Sequence, residues 1–322
     1  MGDAVRLTPL GLGCAQLGNL GRAMSDETAA AVVDAAWQRG IRFFDTAPHY
    51  GLGLSERRLG AALADRPRDA YVLSTKVGRL LVDNPAGAGQ RDTEGFDVPA
   101  TLARRRDYSR DGVLRSLEAS LARLGTDRVD IALVHDPEDH VEAALTGALP
   151  ALAELREQGV LGAIGLGMNY DSVLAGFVRR ADVDVVLIAG RYTLLEQPAL
   201  DGLLPLCAER GVAVLAAGVF NSGVLANPGG TYDYQAAPSE VVARAARIAA
   251  VCERHGVEPA RAAIALPAAH PAVACVLVGA ETPAHVEANA DQFAAPVPPA
   301  LWAELVAEGL LRADAPLPKE SR

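Results

Sequence analysis

Four residues able to move a proton beside a carbonyl or hydroxyl group stand at the ends of short apolar runs. Asp45 lies near the end of RFFDTA, and Tyr50 follows in DTAPHYG. Lys76 closes YVLSTK and His135 closes DIALVH. A free tyrosine titrates near 10, too high for efficient proton transfer at neutral pH. A neighbouring ammonium stabilises the phenolate and lowers that value. Lys76 can supply this charge, Asp45 can hold Lys76, and His135 can donate to a substrate oxygen and orient it. The set suits proton transfer at a carbonyl or hydroxyl while another agent moves hydride. Singly, each residue also reads as a turn former, a cap or a solvated side chain. Together they point to a site, provided the fold gathers the run ends.

The elements that would gather them are legible. Short apolar runs rich in Val, Ile and Leu recur eight times: Leu10–Gln16, Arg42–Ala47, Tyr71–Lys76, Asp130–His135, Gly162–Gly167, Val183–Gly190, Val212–Gly218 and Ala274–Gly279. Near-continuous hydrophobicity indicates strands buried on both faces, hence a parallel sheet. Amphipathic stretches alternate with them. Ser25–Gly40 starts on a capping serine with acids in its first turn and ends on glycine. Ser109–Gly125 sets Val113, Leu117, Leu121 and Leu124 on one face. Ala148–Gly159 and Ala199–Gly211 repeat the pattern. Eight strands alternating with helices predict an α/β fold, a closed (β/α)8 TIM barrel forming one domain over residues 1–322. Long βα loops at the strand C-termini are expected at Gly78–Asp107, carrying Arg104 to Arg106, and at Phe220–Pro238. The three arginines read as a solvated loop face, and Trp37 as a core residue of a helix.

Composition narrows the function. Thirty Lys and Arg against forty Asp and Glu give a net charge of −10, without the basic footprint of a nucleic-acid binder. No apolar run approaches the roughly 20 residues of a membrane span. The N-terminus lacks the apolar core of a signal peptide. Four scattered cysteines form no CxxC pair, which disfavours a zinc site or disulfide framework and suits a reduced, cytoplasmic location. His135 and His140 are not spaced to share a helix face, and neither HExxH nor GxSxG occurs, so no metal site or serine nucleophile is expected. GLGLSE (Gly51–Glu56) reads as a turn into a helix capped by Ser55.

At these residues the chain resembles the aldo-keto reductase superfamily. FFDTAPHYGLGLSERRLG (Phe43–Gly60), YVLSTKVG (Tyr71–Gly78), VDIALVHDPE (Val129–Glu138) and AIGLG (Ala163–Gly167) carry the likeness in the family's order. The resemblance implies Asp45, Tyr50, Lys76 and His135 as catalytic residues and an extended nicotinamide dinucleotide bound without a Rossmann fold. AGRYTLLEQPALDGLLPLCAERGV (Ala189–Val212), FNSGVLA (Phe220–Ala226) and HDPE (His135–Glu138) are similar to a subgroup that oxidises L-fucose, D-threo-aldoses or L-galactose at the anomeric carbon. Pyridoxal 4-dehydrogenation, general aldehyde reduction and a cofactor-sensing regulatory subunit are the alternatives.

The implied cofactor contacts are Asn169 after the fifth strand and Gly218, Phe220, Asn221, Ser222 and Gly223 after the seventh. Gly279, Ala280, Glu281, His285 and Asn289 follow at the adenosine end. Ala217 stands where many members stack an aromatic ring on the nicotinamide, and Ala189 where a glutamine is usual. A 2′-phosphate carries about −1.5 to −2 charges near neutral pH and would be repelled by Glu281. A ribose hydroxyl could instead donate to that carboxylate. NAD is therefore expected as the preferred cofactor, with NADP open should an arginine elsewhere hold the phosphate. His49 and Tyr192 are the expected substrate contacts, to a small sugar or hemiacetal.

Overall fold

The computed structural model of the chain describes residues 5–226, 231–233 and 235–318. Eight strands close into a barrel in chain order: β1 (Leu10–Gly13), β2 (Phe43–Asp45), β3 (Val72–Val77), β4 (Ile131–His135), β5 (Ala163–Met168), β6 (Val185–Ala189), β7 (Ala213–Ala217) and β8 (Val273–Gly279). Every neighbouring pair in the barrel is parallel, and β8 closes on β1 through Leu10↔Val276 to Gly13↔Gly279. The expected TIM barrel is thus the observed fold.

Ten helices of the described residues matter here: α1 (Asp26–Gln38), α2 (Leu54–Leu63), α3 (Arg110–Leu124), α4 (Leu149–Glu157), α5 (Asp171–Arg180), α6 (Leu203–Arg210), α7 (Ser239–Arg254), α8 (Pro259–Ala268), α9 (Pro283–Ala294) and α10 (Pro299–Ala307). Ser25 caps α1 by accepting from the Thr28 N–H, and Ser109 caps α3 through Gly112. Gly125 and Gly211 end α3 and α6 in the left-handed conformation. Two local expectations change. The Ala199–Gly211 stretch breaks at Gly202 into a 3-10 turn (Pro198–Asp201) and α6. Ser55 does not cap α2: Gly53, at φ 81°, starts the helix, and buried Ser55 donates to the Cys14 carbonyl at 2.7 Å.

Alternation along the strands separates two cores. Phe43, Ile131, Leu133, Ala163, Val185, Leu187, Leu215, Cys275 and Leu277 fill the barrel interior. Their neighbours, among them Phe44, Ala132, Ile164, Val186, Val214 and Val276, pack outward under the helices. Because side chains alternate with period two, the next inward position after Phe43 is Asp45, and after Leu133 it is His135. The same parity brings Lys76 inward two residues beyond Ser74. Trp37 packs half-buried on the outer core, with the Arg42 and Arg66 guanidinium groups 3.7 and 4.4 Å from its ring centroid. Among the described residues no helix is long and apolar enough to cross a membrane.

The segment after β3 is not an irregular loop. Arg79–Asp83 pairs antiparallel with Leu102–Arg106, Arg79 opposite Arg106 and Leu81 opposite Arg104. Gly78 makes the turn into this hairpin at φ 99°, where a Cβ would lie 2.4 Å from the Tyr108 ring. The segment after β7 includes a shorter pairing, Thr231–Tyr232 with Gln235–Ala236. Part of the Phe220–Pro238 loop lies outside the described residues.

Candidate active site

Asp45, Lys76 and His135 form one layer at the C-terminal end of β2, β3 and β4, all buried. The Lys76 ammonium donates to Asp45 Oδ2 at 2.6 Å and to the Thr46 carbonyl at 3.0 Å. Ser74 Oγ donates to the other Asp45 oxygen at 2.6 Å. Lys76 also hydrogen-bonds Tyr50, and its Nζ lies 4.8 Å from that ring's centroid. Burial works against the ammonium, but Asp45 and Tyr50 outweigh it and raise its pKa above the ordinary lysine value. Lys76 is therefore a fixed positive charge beside a phenol.

Tyr50 reaches the layer from the turn after β2. Its N–H donates to the Ala47 carbonyl, and its own carbonyl accepts from Ser55 N–H at 3.2 Å. The turn is pressed against the segment after β1: a Cβ on Gly51 would stand 2.2 Å from the Gly18 carbonyl oxygen. The His135 ring meets Tyr50 edge-on, centroids 5.9 Å apart. Burial, followed by the charges of Arg79 and Lys76, holds the His135 imidazole well below its usual range. At neutral pH it is uncharged, so one nitrogen carries a proton and can only donate.

The hairpin supplies residues that sequence reasoning placed in solvent or passed over. The Arg104 side chain is only 5% exposed and pairs with Asp92 at 2.6 Å. It also donates to the His49 carbonyl at 3.0 Å. The expectation of a solvated arginine face fails for Arg104, because its strand turns positions 79, 81, 104 and 106 to one side. Arg105 faces the other way and is exposed. Buried Arg79 pairs with Asp136 and lies 3.2 Å from His49 Nδ1. Tyr108 lies with its hydroxyl 2.8 Å from the carbonyls of both His135 and Asp136. The adjacency of Arg79 to a strand-end glycine, and of Asp136 to His135, is the signal that could have singled them out.

His49 stands at this mouth, its ring 5.1 Å from Phe96 and 5.5 Å from His135. Tyr192 does not. It is buried in the outer core with its ring edge-on to His270 at 5.7 Å, which runs against its reading as a substrate contact.

Across the rim, the same inward layer carries Gly167, Ala189, Ala217 and Gly279. Glycine or alanine at all four positions keeps long strand side chains off this part of the rim. A Cβ on Gly279 would stand 2.3 Å from Gln16 Oε1, so Gln16 is a further neighbour of this segment. Asn169 is half-buried just beyond β5. Asn289 donates to the Gly279 carbonyl at 3.4 Å, and Thr282 caps α9 through the His285 N–H. Ala280 is buried, while Glu281 is partly exposed and pairs with Arg22 at 2.5 Å. Gly218, Asn221, Ser222 and Gly223 all adopt positive φ after β7, with Phe220 packed on the core. The Asn221 side chain turns inward, donating to the Gly190 carbonyl at 3.2 Å and to Glu196 at 3.1 Å. Among the described residues, no three His, Cys, Asp or Glu side chains are grouped to hold a metal ion.

Comparison with known proteins agrees with the barrel fold. The family model described as aldo/keto reductase family matches residues 9–307. A D-threo-aldose 1-dehydrogenase of Pseudomonas sp is 48% identical over 309 residues, covering 94% of each chain. A pyridoxal 4-dehydrogenase of Microbacterium luteolum is 40% identical over 325 residues, covering 95% of each. Among solved structures, an aldo-keto reductase from Bacillus halodurans in its holo form superposes with a TM-score of 0.73. It shares 24% identity over 98% of this chain and 95% of that one, and supports the fold. With the family match spanning every barrel strand, and such relatives aligned over almost their whole length, the chain belongs to the aldo/keto reductase family and is an oxidoreductase.

Proposed function

We propose that the protein oxidises the anomeric carbon of a cyclic aldose of the L-fucose, L-galactose or D-arabinose type to a lactone. The observation that carries this reading is the buried Asp45–Lys76 pair bonded to Tyr50, with neutral His135 facing the same phenol. The D-threo-aldose 1-dehydrogenase match supports a sugar hemiacetal as substrate. A nicotinamide dinucleotide, when bound, supplies the hydride acceptor.

Tyr50, as phenolate, takes the proton from the anomeric hydroxyl. Lys76 stabilises that phenolate, and Asp45 keeps Lys76 charged and in place. His135 donates to the sugar oxygen and fixes its direction. Gly167 and Ala217, which carry little or no side chain, would leave room for the cofactor's flat ring at the rim, with Asn169 just beyond β5. Gly218, Phe220, Asn221, Ser222 and Gly223 would flank the cofactor's middle. Gly279, Ala280, Glu281, His285 and Asn289 would hold the adenosine end, where the N-terminus of α9 favours negative charge.

NAD is the preferred cofactor on this reading, because Glu281 can accept from a ribose hydroxyl and repels a 2′-phosphate. Arg22 partly neutralises Glu281, so NADP is still accepted. The 40% identical pyridoxal 4-dehydrogenase supports a second substrate, pyridoxal as its cyclic hemiacetal. Four buried free cysteines suit a reducing, cytoplasmic setting.

The test is absorbance of reduced cofactor after mixing the protein with NAD or NADP and L-fucose, L-galactose, D-arabinose or pyridoxal. Strong reduction with a sugar is the expected result. Activity confined to pyridoxal would move the substrate assignment and keep the chemistry. No reduction with any of the four would overturn the proposal.

A further inference from the structure

The arrangement around His49 has no counterpart in the proton-transfer set. Two arginines, one from each strand of the 79–106 hairpin, hold this single residue. Arg104 Nη2 donates to its carbonyl at 3.0 Å. Arg79 Nη1 lies 3.2 Å from its Nδ1. The other end of the Arg79 guanidinium binds Asp136, the residue after His135. One buried guanidinium therefore bridges the two segments that carry the two histidines of the mouth.

An arginine side chain has N–H groups only and no acceptor. A histidine nitrogen bonded to it must be the one with the free lone pair. His49 is uncharged at neutral pH, since burial and then Arg79 and Arg104 push its pKa down to about 2. A neutral ring with Nδ1 accepting carries its proton on Nε2. The ring is also fixed in direction, with Phe96 edge-on at 5.1 Å and His135 at 5.5 Å. Left alone, an imidazole could present either a donor or an acceptor; here only a donor remains.

The charges paired around it are two guanidinium groups against three carboxylates. Arg79 faces Asp136 and Glu94, and Arg104 faces Asp92 and Glu94. With these arginines paired, nothing in the group favours an anionic substrate. The remaining nitrogen of His49 is a neutral N–H donor, suited to a sugar hydroxyl.

We propose that Arg79 is a positioning residue that locks His49 as a hydrogen-bond donor, and that His49 thereby selects uncharged hemiacetals bearing a hydroxyl on the carbon beside the reacting one. The inference rests on the proposed oxidation of a sugar. It makes the hairpin, and not only the strand ends, an element of specificity.

Two measurements test it, and the first needs no substrate. Long-range proton–nitrogen correlation on protein labelled at histidine should show His49 protonated on Nε2, its signals assigned by their loss in His49→Phe. In Arg79→Lys, which keeps a positive charge near Asp136, and in Arg79→Met, the ring should become a mixture of tautomers. A wild-type His49 protonated on Nδ1, or a tautomer unchanged in both variants, would overturn the role of Arg79. The second is steady-state kinetics with the best sugar. His49→Phe should raise KM about tenfold, the weight of one hydrogen bond to a neutral partner, with a smaller change in kcat. Arg79→Lys should do the same, and Arg79→Lys with His49→Phe should be no worse than His49→Phe alone. A sugar lacking the neighbouring hydroxyl should be insensitive to His49→Phe. Losses that multiply in the double variant, or fall on kcat alone, would overturn the specificity role. If wild-type protein oxidises no sugar, the functional reading fails, and the tautomer measurement still decides for or against Arg79.

Discussion

On the β2–β4 side of the barrel rim, the last inward positions hold Asp45, Lys76 and His135. On the β5–β8 side the equivalent layer holds Gly167, Ala189, Ala217 and Gly279. The barrel strands run parallel on both sides, so the contrast lies in the side chains at their ends. The first half concentrates titratable groups: Asp45 is bound by Ser74 and Lys76, Lys76 by Asp45, Thr46 and Tyr50, while the buried Nδ1 of His135 has no hydrogen-bond partner among the described residues. The second half offers backbone and space. Three of the four candidate residues need only a place at the rim of the cylinder, while Tyr50 depends on the turn after β2.

Substitutions can break this division, and the largest effect belongs to the reacting half. Tyr50→Phe should cut kcat by about a hundredfold to ten-thousandfold, the usual weight of a general acid–base group. Cofactor affinity, measured by fluorescence titration, should barely change. Near-normal turnover would show that the phenol moves no proton.

Next comes stability. Lys76→Met leaves the Asp45 carboxylate buried without its cation, and removal of one partner of such a pair typically costs about 3–5 kcal/mol. Urea denaturation should show that loss. Lys76→Met combined with Asp45→Asn should recover part of it, which a purely packing defect would not.

The two neutral histidines of the same half predict an acid weakness. Their folded pKa values lie below the unfolded value near 6.5, with burial the leading cause. Below pH 6.5 the unfolded chain binds protons that the folded chain refuses, so stability is full above that pH and falls as pH drops. Each histidine contributes roughly 1.4 kcal/mol per pH unit well below 6.5. Denaturation midpoints measured from pH 7 to pH 4.5 should fall less steeply in His49→Phe than in the wild type.

Smaller effects are expected on the space-giving half. Gly279→Val would push a side chain into the Gln16 amide, which is flexible and can yield. The variant should stay folded and lose about tenfold in cofactor affinity, the equivalent of roughly 1.4 kcal/mol. Glu281→Gln should shift the NADP to NAD ratio of kcat/KM upward by about the same factor, since one repelling charge is removed. An unchanged ratio would take Glu281 out of cofactor selection.

Much of the reacting half could be read from the chain before folding. Period-two alternation fixes the direction of Asp45 from Phe43 and of His135 from Leu133, and the apolar runs fix the barrel. What could not be read depends on partners that local pattern does not reveal. Arg104 is buried because Asp92 and the His49 carbonyl meet it, and a run of three arginines looks solvated until those partners are known. Tyr192 follows a strand just as Tyr50 does, yet it turns into the outer core beside His270. Ser55 looked like a cap because serine commonly caps. The left-handed Gly53 starts the helix instead, which frees Ser55 to tie Thr46 to Cys14.

The close approach of Gly18 and Gly51 bears on how this scaffold could be re-engineered. The Tyr50 turn is held by backbone against backbone, with 2.2 Å between a would-be Cβ of Gly51 and the Gly18 oxygen. A library aimed at new sugars can therefore vary His49 and its ring neighbour Phe96 while leaving Gly18 and Gly51 untouched. Diversity placed at either glycine would be discarded as unfolded or inactive whatever the substrate, so the two codons mark the border between evolvable surface and fixed chassis.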